Sequence, residues 1–204
     1  MERLLVVNSA PDSCYLNNRI VTALRVIFRL ASECDLRVLN LYAQNFSPVL
    51  TDYEHAEYRN PQANIDYVDQ DQFLTQSLSD VKWANSMLIV FPVWWMGVPA
   101  ILKGWLDRLF RPGLAFTVGR EGPQPHLTGI QSINLIATFA YAENQLKELG
   151  IAPNDVIAAP FRMLCEHACP DAVLRQCSIF EARRFDPHKV DYQLHAFCKP
   201  LMKV

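Results

Sequence analysis

Trp94 and Trp95 stand side by side in "FPVWWMGVP" (91–99), directly after the apolar run "SMLIVF" (86–91). Adjacent residues of an extended chain point to opposite faces, so at least one of the two rings should leave the core. An exposed indole offers a platform for a flat aromatic ligand, although the same rings could serve only as packing in a core or between subunits. A second stretch, "NSAPDSCYLNN" (8–18), brings Ser9, Ser13, Tyr15, Asn17 and Asn18 to the start of a helical pattern. Free amides and the dipole at a helix start can cradle a phosphate, and an ordinary capped turn would use the same residues. The stretch carries neither GxGxxG nor GxxxxGK[ST]. A third, "IATFAYAEN" (136–144), offers hydrogen-bond donors at Thr138, Tyr141 and Asn144, or is a plain strand-to-loop turn.

These stretches become one site only if the fold brings them together. Five apolar runs read as strands, over 3–8, 35–42, 86–92, 131–139 and 172–182. Helical periodicity or caps place helices over 15–33, 71–84, 99–110, 154–169 (kinked or started near Pro160) and 186–203. Residues 43–70 are polar and unperiodic, a long excursion with room for one helical turn, and 111–129 is a loop or hairpin with four Gly and three Pro. Strands alternating with helices predict an α/β fold: one doubly wound domain over 1–204, a five-stranded parallel sheet in flavodoxin-like order 2-1-3-4-5, and helices on both faces. Ligands of such sheets sit beyond the carboxyl ends of the strands, where all three stretches fall.

The chain has 204 residues, half of them apolar and 20% charged, with a formal net charge of −2. That balance is globular and gives no basic footprint for nucleic acid. The apolar run Leu4–Val7 breaks at Asn8, and no run reaches the roughly 20 residues a membrane span needs, so we expect a cytoplasmic protein without a signal peptide. The six cysteines then read as buried thiols. "CEHAC" (165–169) has too few ligands for a metal site, and no metal is expected. Asp107 and Arg108 read as a functional ion pair, a solvated helix face or a dimer contact, and Lys103 as a surface lysine or a contact for a nicotinamide phosphate. "EARRFDPHK" (181–189) reads as a mildly basic sheet edge.

The segment "FPVWWMGVPAILKGWLDRLFRPGLAF" (91–116) resembles the flavodoxin-like NAD(P)H:quinone reductases, whose pattern there is P-x-x-W-x-x-x-P-A-x-L-K-G-W-x-D-R. "PGLAFTVG", "SAPDS" and "APFRMLCEHAC" resemble further segments of that family in the right order. The resemblance implies a bound flavin, FAD ahead of FMN. It also implies NAD(P)H as co-substrate, hydride transfer through the flavin to a quinone or similar flat acceptor, and a homodimer with the site at the subunit boundary. It assigns Ser13, Tyr15, Leu16 and Asn17 to the flavin phosphate and ribityl chain. Pro92, Val93, Trp94, Trp95 and Met96 fall to the isoalloxazine, and Thr138, Phe139 and Ala140 to its pyrimidine edge. The chain departs from the family at Ala10, where a histidine is usual, and at "ATFA" (137–140), where the family has T-T-G-G. The family's Tyr and His that assist the acceptor have no clear counterparts, which leaves Tyr141 as the catalytic candidate. Two other roles share the superfamily: an ancillary subunit of a glutathione-gated potassium efflux system, peripheral to the membrane, and an electron-carrier flavodoxin.

Overall fold

A computed structural model describes residues 1–31, 34–43, 46–59 and 71–202, with Glu57 and Arg59 as backbone only. The main strands are β1 (Glu2–Asn8), β2 (Cys34–Asn40), β3 (Ser86–Pro92), β6 (Ser132–Thr138) and β7 (Val173–Ile179). They pair in the order β2-β1-β3-β6-β7, every neighbour parallel, which is the expected 2-1-3-4-5 with a hairpin inserted between the third and fourth main strands. That hairpin is β4 (Phe116–Gly119) with β5 (Gly122–Pro125). β3 and β6 are buried throughout because each has neighbours on both sides, whereas β2 and β7 form the edges and are partly exposed.

The helices are α1 (Tyr15–Leu30), α2 (Asp52–Arg59), α3 (Gln72–Trp83), α4 (Ala100–Leu109), α5 (Glu143–Glu148), α6 (Pro153–Ala168) and α7 (Pro187–Cys198). Alternate residues of a strand serve different clusters. Leu5, Val7, Ile89 and Leu135 pack with Val81 of α3, Trp105 of α4 and Phe161 of α6. Leu4, Val6, Val90 and Ile136 pack with Ile20, Leu24 and Phe28 of α1 and Leu194 of α7. α6 starts at Pro153 and runs through Pro160 without ending there.

Two sequence expectations change here. The 43–70 excursion holds more than one turn of helix, since α2 has eight residues; residues 60–70 lie outside those described. Thr51 and Glu54 fix its start reciprocally. The Thr51 amide donates to Glu54 Oε2 at 2.8 Å and the Glu54 amide to Thr51 Oγ1 at 3.2 Å. Arg108, in turn, is neither paired with Asp107 nor solvated. It is buried, with Nε donating to both oxygens of Glu54 (2.8 and 3.0 Å), Nη2 to Asp71 (2.7 Å) and Nη1 to the Ser47 carbonyl (2.7 Å). Arg111 adds a 3.0 Å bond to Glu54. One turn before Arg108, Pro48 passes so close to Gly104 that a Cβ there would lie 2.1 Å from the Pro48 carbonyl oxygen. The excursion is thus fastened to α4 of its own chain. Asp107 instead pairs with Lys103 on the exposed face at 2.5 Å.

A polar ladder crosses the sheet near its amino edge. Ser86 Oγ donates to Glu2, Ser132 Oγ to Ser86 Oγ (2.9 Å), and Asn134 Nδ2 to Ser132 Oγ (2.9 Å) and the Met87 carbonyl (3.1 Å). All four residues are buried. At the other edge, register aligns Asn8 with Val90 and Pro92 with Thr138, so the loops after β1, β3 and β6 emerge together.

Candidate functional site

The loop after β1 is held by its own side chains. Both the amide and hydroxyl of Ser9 donate to the Val90 carbonyl (3.0 and 3.2 Å), so Ser9 has no donor left for a ligand. Asn8 Nδ2 donates to Asn18 Oδ1 (3.0 Å), and Asn18 Nδ2 to the carbonyls of Pro11 and Asp12. α1 then begins at Tyr15 with Cys14 at its N-cap and no side-chain cap bond. Uncapped first-turn amides carry the positive end of the helix dipole. A cysteine at a helix start usually acidifies; here burial pushes the Cys14 thiol up instead.

Asn17 lies under this turn, 3% exposed. Its Oδ1 accepts from Thr138 Oγ1 at 3.0 Å, and its Nδ2 finds no partner among the described residues. A buried donor left unpaired costs about 1–3 kcal/mol, a burden that a ligand acceptor would lift.

After β3, the Val93 amide donates to the Thr138 carbonyl (2.8 Å), and Trp94 and Gly97 exchange backbone bonds of 3.0 and 3.1 Å. Trp95 and Met96 form the tip between them at φ 49° and 56°. Both residues of this two-residue turn are left-handed, a conformation usually reserved for Asn-Gly and costing a bulky residue roughly 1–2 kcal/mol. Both indoles leave the core: Trp94 is 43% exposed and Trp95 fully so. The turn therefore holds two strained residues, one of them a fully exposed indole, at the carboxyl ends of the strands.

Two cavities meet along this edge. One, about 500 Å³, is lined by Ser13, Cys14, Tyr15, Leu16, Asn17, Pro92, Thr138, Arg183 and Phe185 among others. The other, about 560 Å³, is lined by Trp95, Met96, Tyr141, Leu146, Leu149 and Ile151. Val93, Trp94 and Ala140 line both, which makes them the two ends of one trough. The first end carries the hydroxyl, amide and guanidinium side chains and faces the α1 start; the second is lined by apolar side chains, with Tyr141 supplying a hydroxyl.

Of the residues that the resemblance assigns to the flavin, Phe139 alone does not line the trough; Ser9, Asn18 and Asn144, singled out as donors, do not line it either. The Phe139 amide donates to the Ile179 carbonyl (2.8 Å), and its buried ring stacks on Phe180 with centroids 5.0 Å apart. The side chain that replaces a family glycine turns inward, leaving Ala140 to face the trough. Other lining residues escaped the sequence pattern. Leu146, Leu149 and Ile151 belong to or follow α5, six residues long and too short to show periodicity. Arg183 and Phe185 sit just past β7, where their place at the same carboxyl edge was the available signal.

Among the described residues no three His, Cys, Asp or Glu side chains gather to hold a metal ion, and no helix is long and apolar enough to cross a membrane. The six cysteines are free; Cys169 and Cys198 are buried, and Cys14, Cys34, Cys165 and Cys177 are half-buried rather than buried as expected.

A relative in Escherichia coli named as an uncharacterized NAD(P)H oxidoreductase is 32% identical over 124 residues, 60% of this chain. The match spans 59% of that relative's length. An FMN-dependent NADH:quinone oxidoreductase of a Jannaschia species is 30% identical over 75% of this chain and 76% of its own. Among solved structures, the NAD(P)H:quinone oxidoreductase of Methanothermobacter marburgensis superposes with a TM-score of 0.79 at 18% identity, covering 99% of this chain and 98% of that one, which shows the shared fold. The profile of the flavodoxin-like fold family matches residues 2–165. With the sheet order and the position of the trough, these matches make the chain a member of the flavodoxin-like fold family that includes the NAD(P)H:quinone reductases.

Proposed function

We propose that this chain is a flavin-dependent NAD(P)H oxidoreductase that reduces quinones or similarly flat, apolar acceptors. The observation that carries the reading is the two-ended trough, in which an unsatisfied Asn17 donor and an uncapped helix start lie at one end and exposed aromatic rings at the other. A flavin nucleotide has that same division between phosphate and ring. The backbone amides of Leu16 and Asn17, with Ser13 and Asn17 Nδ2, would hold the phosphate and ribityl oxygens. Val93 and the Trp94–Met96 turn would pack on the ring, and Ala140 would lie at its edge. A bound flavin supplies hydride chemistry that no side chain here can perform. The protein contributes position and exclusion of water.

The mononucleotide is the better fit than FAD. The donors of the polar end gather at the start of α1, where one phosphate would sit, and the Jannaschia relative is named for FMN. The apolar end suits an uncharged aromatic acceptor stacked beside the ring, with the Tyr141 hydroxyl as the polar contact that orients it. Trp95 and Leu149 stand exposed at its rim, which favours a homodimer in which a second copy covers it.

The test is direct. Purified protein incubated with FMN should show flavin absorption after desalting. NADH or NADPH should bleach it without oxygen, and 1,4-benzoquinone should restore it. A protein that retains neither FMN nor FAD would overturn the proposal.

A further inference from the structure

The polar end of the trough contains one charged side chain, Arg183. The short segment that carries it is pinned to the end of β6. The Glu181 amide donates to the Tyr141 carbonyl (3.1 Å), the Ala182 amide to the Phe139 carbonyl (2.8 Å), and the Arg184 amide back to Glu181 (2.8 Å). Glu181 adopts φ 56°, an unfavourable left-handed turn for a residue with a side chain, and this turn brings the chain round towards α1. Tyr15 of α1 and Phe185 close the same end, their rings 6.1 Å apart.

Three other arginines of this chain are already engaged. Arg19, on the outer side of α1, binds Asp191 at 2.6 Å, and Arg108 and Arg111 share Glu54. No carboxylate among the described residues lies within ion-pair distance of Arg183, which is exposed on a cavity that also holds the unpartnered Asn17 Nδ2. A full positive charge, an uncapped helix start and a buried amide donor converge there, with no acidic side chain in the lining. That combination matches a phosphate monoester, which carries close to two negative charges at neutral pH and accepts a guanidinium fork.

We infer that Arg183 is a phosphate-binding residue of the site, its guanidinium pairing with the terminal phosphate of FMN opposite the first turn of α1. The inference rests on the flavin reading above and adds the residue by which the chain would select a phosphorylated flavin over riboflavin.

Apoprotein should be titrated with FMN and with riboflavin, following flavin fluorescence, for the wild type, Arg183→Gln and Arg183→Lys. The wild type should bind FMN more tightly than riboflavin. Arg183→Gln should weaken FMN roughly tenfold or more and leave riboflavin unchanged, as expected for a lost charge-assisted bond. Arg183→Lys should recover part of the loss, since it keeps the charge but not the fork. An unchanged FMN affinity in Arg183→Gln, or equal losses for FMN and riboflavin, would overturn the assignment. Equal wild-type affinity for the two ligands would remove the phosphate role while leaving the flavin reading intact. No binding of either ligand would remove both. Arg183 is exposed, so the melting temperatures of the three proteins should agree, confirming that the comparison reads binding.

Discussion

The Thr138 hydroxyl donates to Asn17 Oδ1 at 3.0 Å, joining the end of β6 to the first turn of α1 across 121 residues of sequence. The bond fixes which end of the Asn17 amide is free, and the free end is the donor, Nδ2. Thr138→Val keeps the shape and removes this hydroxyl. We expect FMN affinity to fall roughly fivefold and stability by about 1 kcal/mol, with Thr138→Ser close to wild type. Unchanged FMN affinity in Thr138→Val would show that the amide does not touch the ligand.

The Trp95–Met96 turn predicts an opposite movement of stability and binding. Within its own chain Trp95 has no burial to lose, and it sits at φ 49°. Trp95→Gly should therefore leave stability unchanged or raise it by up to about 1 kcal/mol, relief of strain outweighing the extra freedom of the unfolded chain. The same substitution should weaken flavin retention or raise KM for the acceptor. A drop in melting temperature larger than that of a typical surface substitution would mean that the ring packs on protein.

Gly104 tolerates no side chain, because Pro48 occupies the place of its Cβ. Gly104→Ala should destabilise by about 3 kcal/mol, as overpacking against backbone does. Hydrogen exchange should rise first over residues 46–59, which lose their seat on α4. Glu54→Ala, which removes the buried carboxylate that Arg108 and Arg111 share but leaves Arg108 its bond to Asp71, should release the same segment at a cost of about 3 kcal/mol. Uniform exchange across the sheet instead would mean that this attachment is part of the global folding unit.

Three thiols set an alkaline limit. Burial, with a smaller contribution from Glu2 and Asp35, pushes Cys34 up to about 11, and burial pushes Cys177 to about 11; burial and Cys177 push Cys198 to about 12. Well below pH 9 these thiols are protonated whether the chain is folded or not, and they contribute no slope. Above pH 9 they ionise in the unfolded chain while the folded chain keeps its protons, so stability falls as pH rises towards 11 and 12. Urea midpoints should decline between pH 8.5 and 10.5 under reducing conditions. A flat profile would count against these burial effects.

Much of this architecture is legible in the sequence because it depends on local pattern. β3 and β6 are continuous apolar runs, and the loops after them fall at the strand ends whatever the details of packing. What escapes is what distant partners impose. α2 is polar throughout, and its Glu54 is buried by Arg108, 54 residues away; Arg108 in turn sits in a helix whose pattern alone suggests a solvated charge. Phe139 is another case. The resemblance implies a ligand contact at that position, but the ring turns inward and stacks on Phe180.

The ladder from Glu2 through Ser86 and Ser132 to Asn134 lies at the end of the sheet remote from the trough. Its hydrogen bonds are satisfied only when β1, β3 and β6 lie at the observed offsets, whereas leucine, valine and isoleucine would pack nearly as well after a slip of two residues. Seven-residue strands then carry that alignment over about 20 Å to Asn8, Pro92 and Thr138. The ladder works as the zero mark of a ruler: a two-residue slip there would displace one loop of the trough from the next by about 7 Å, wider than the gap between a stacked ring and its neighbour.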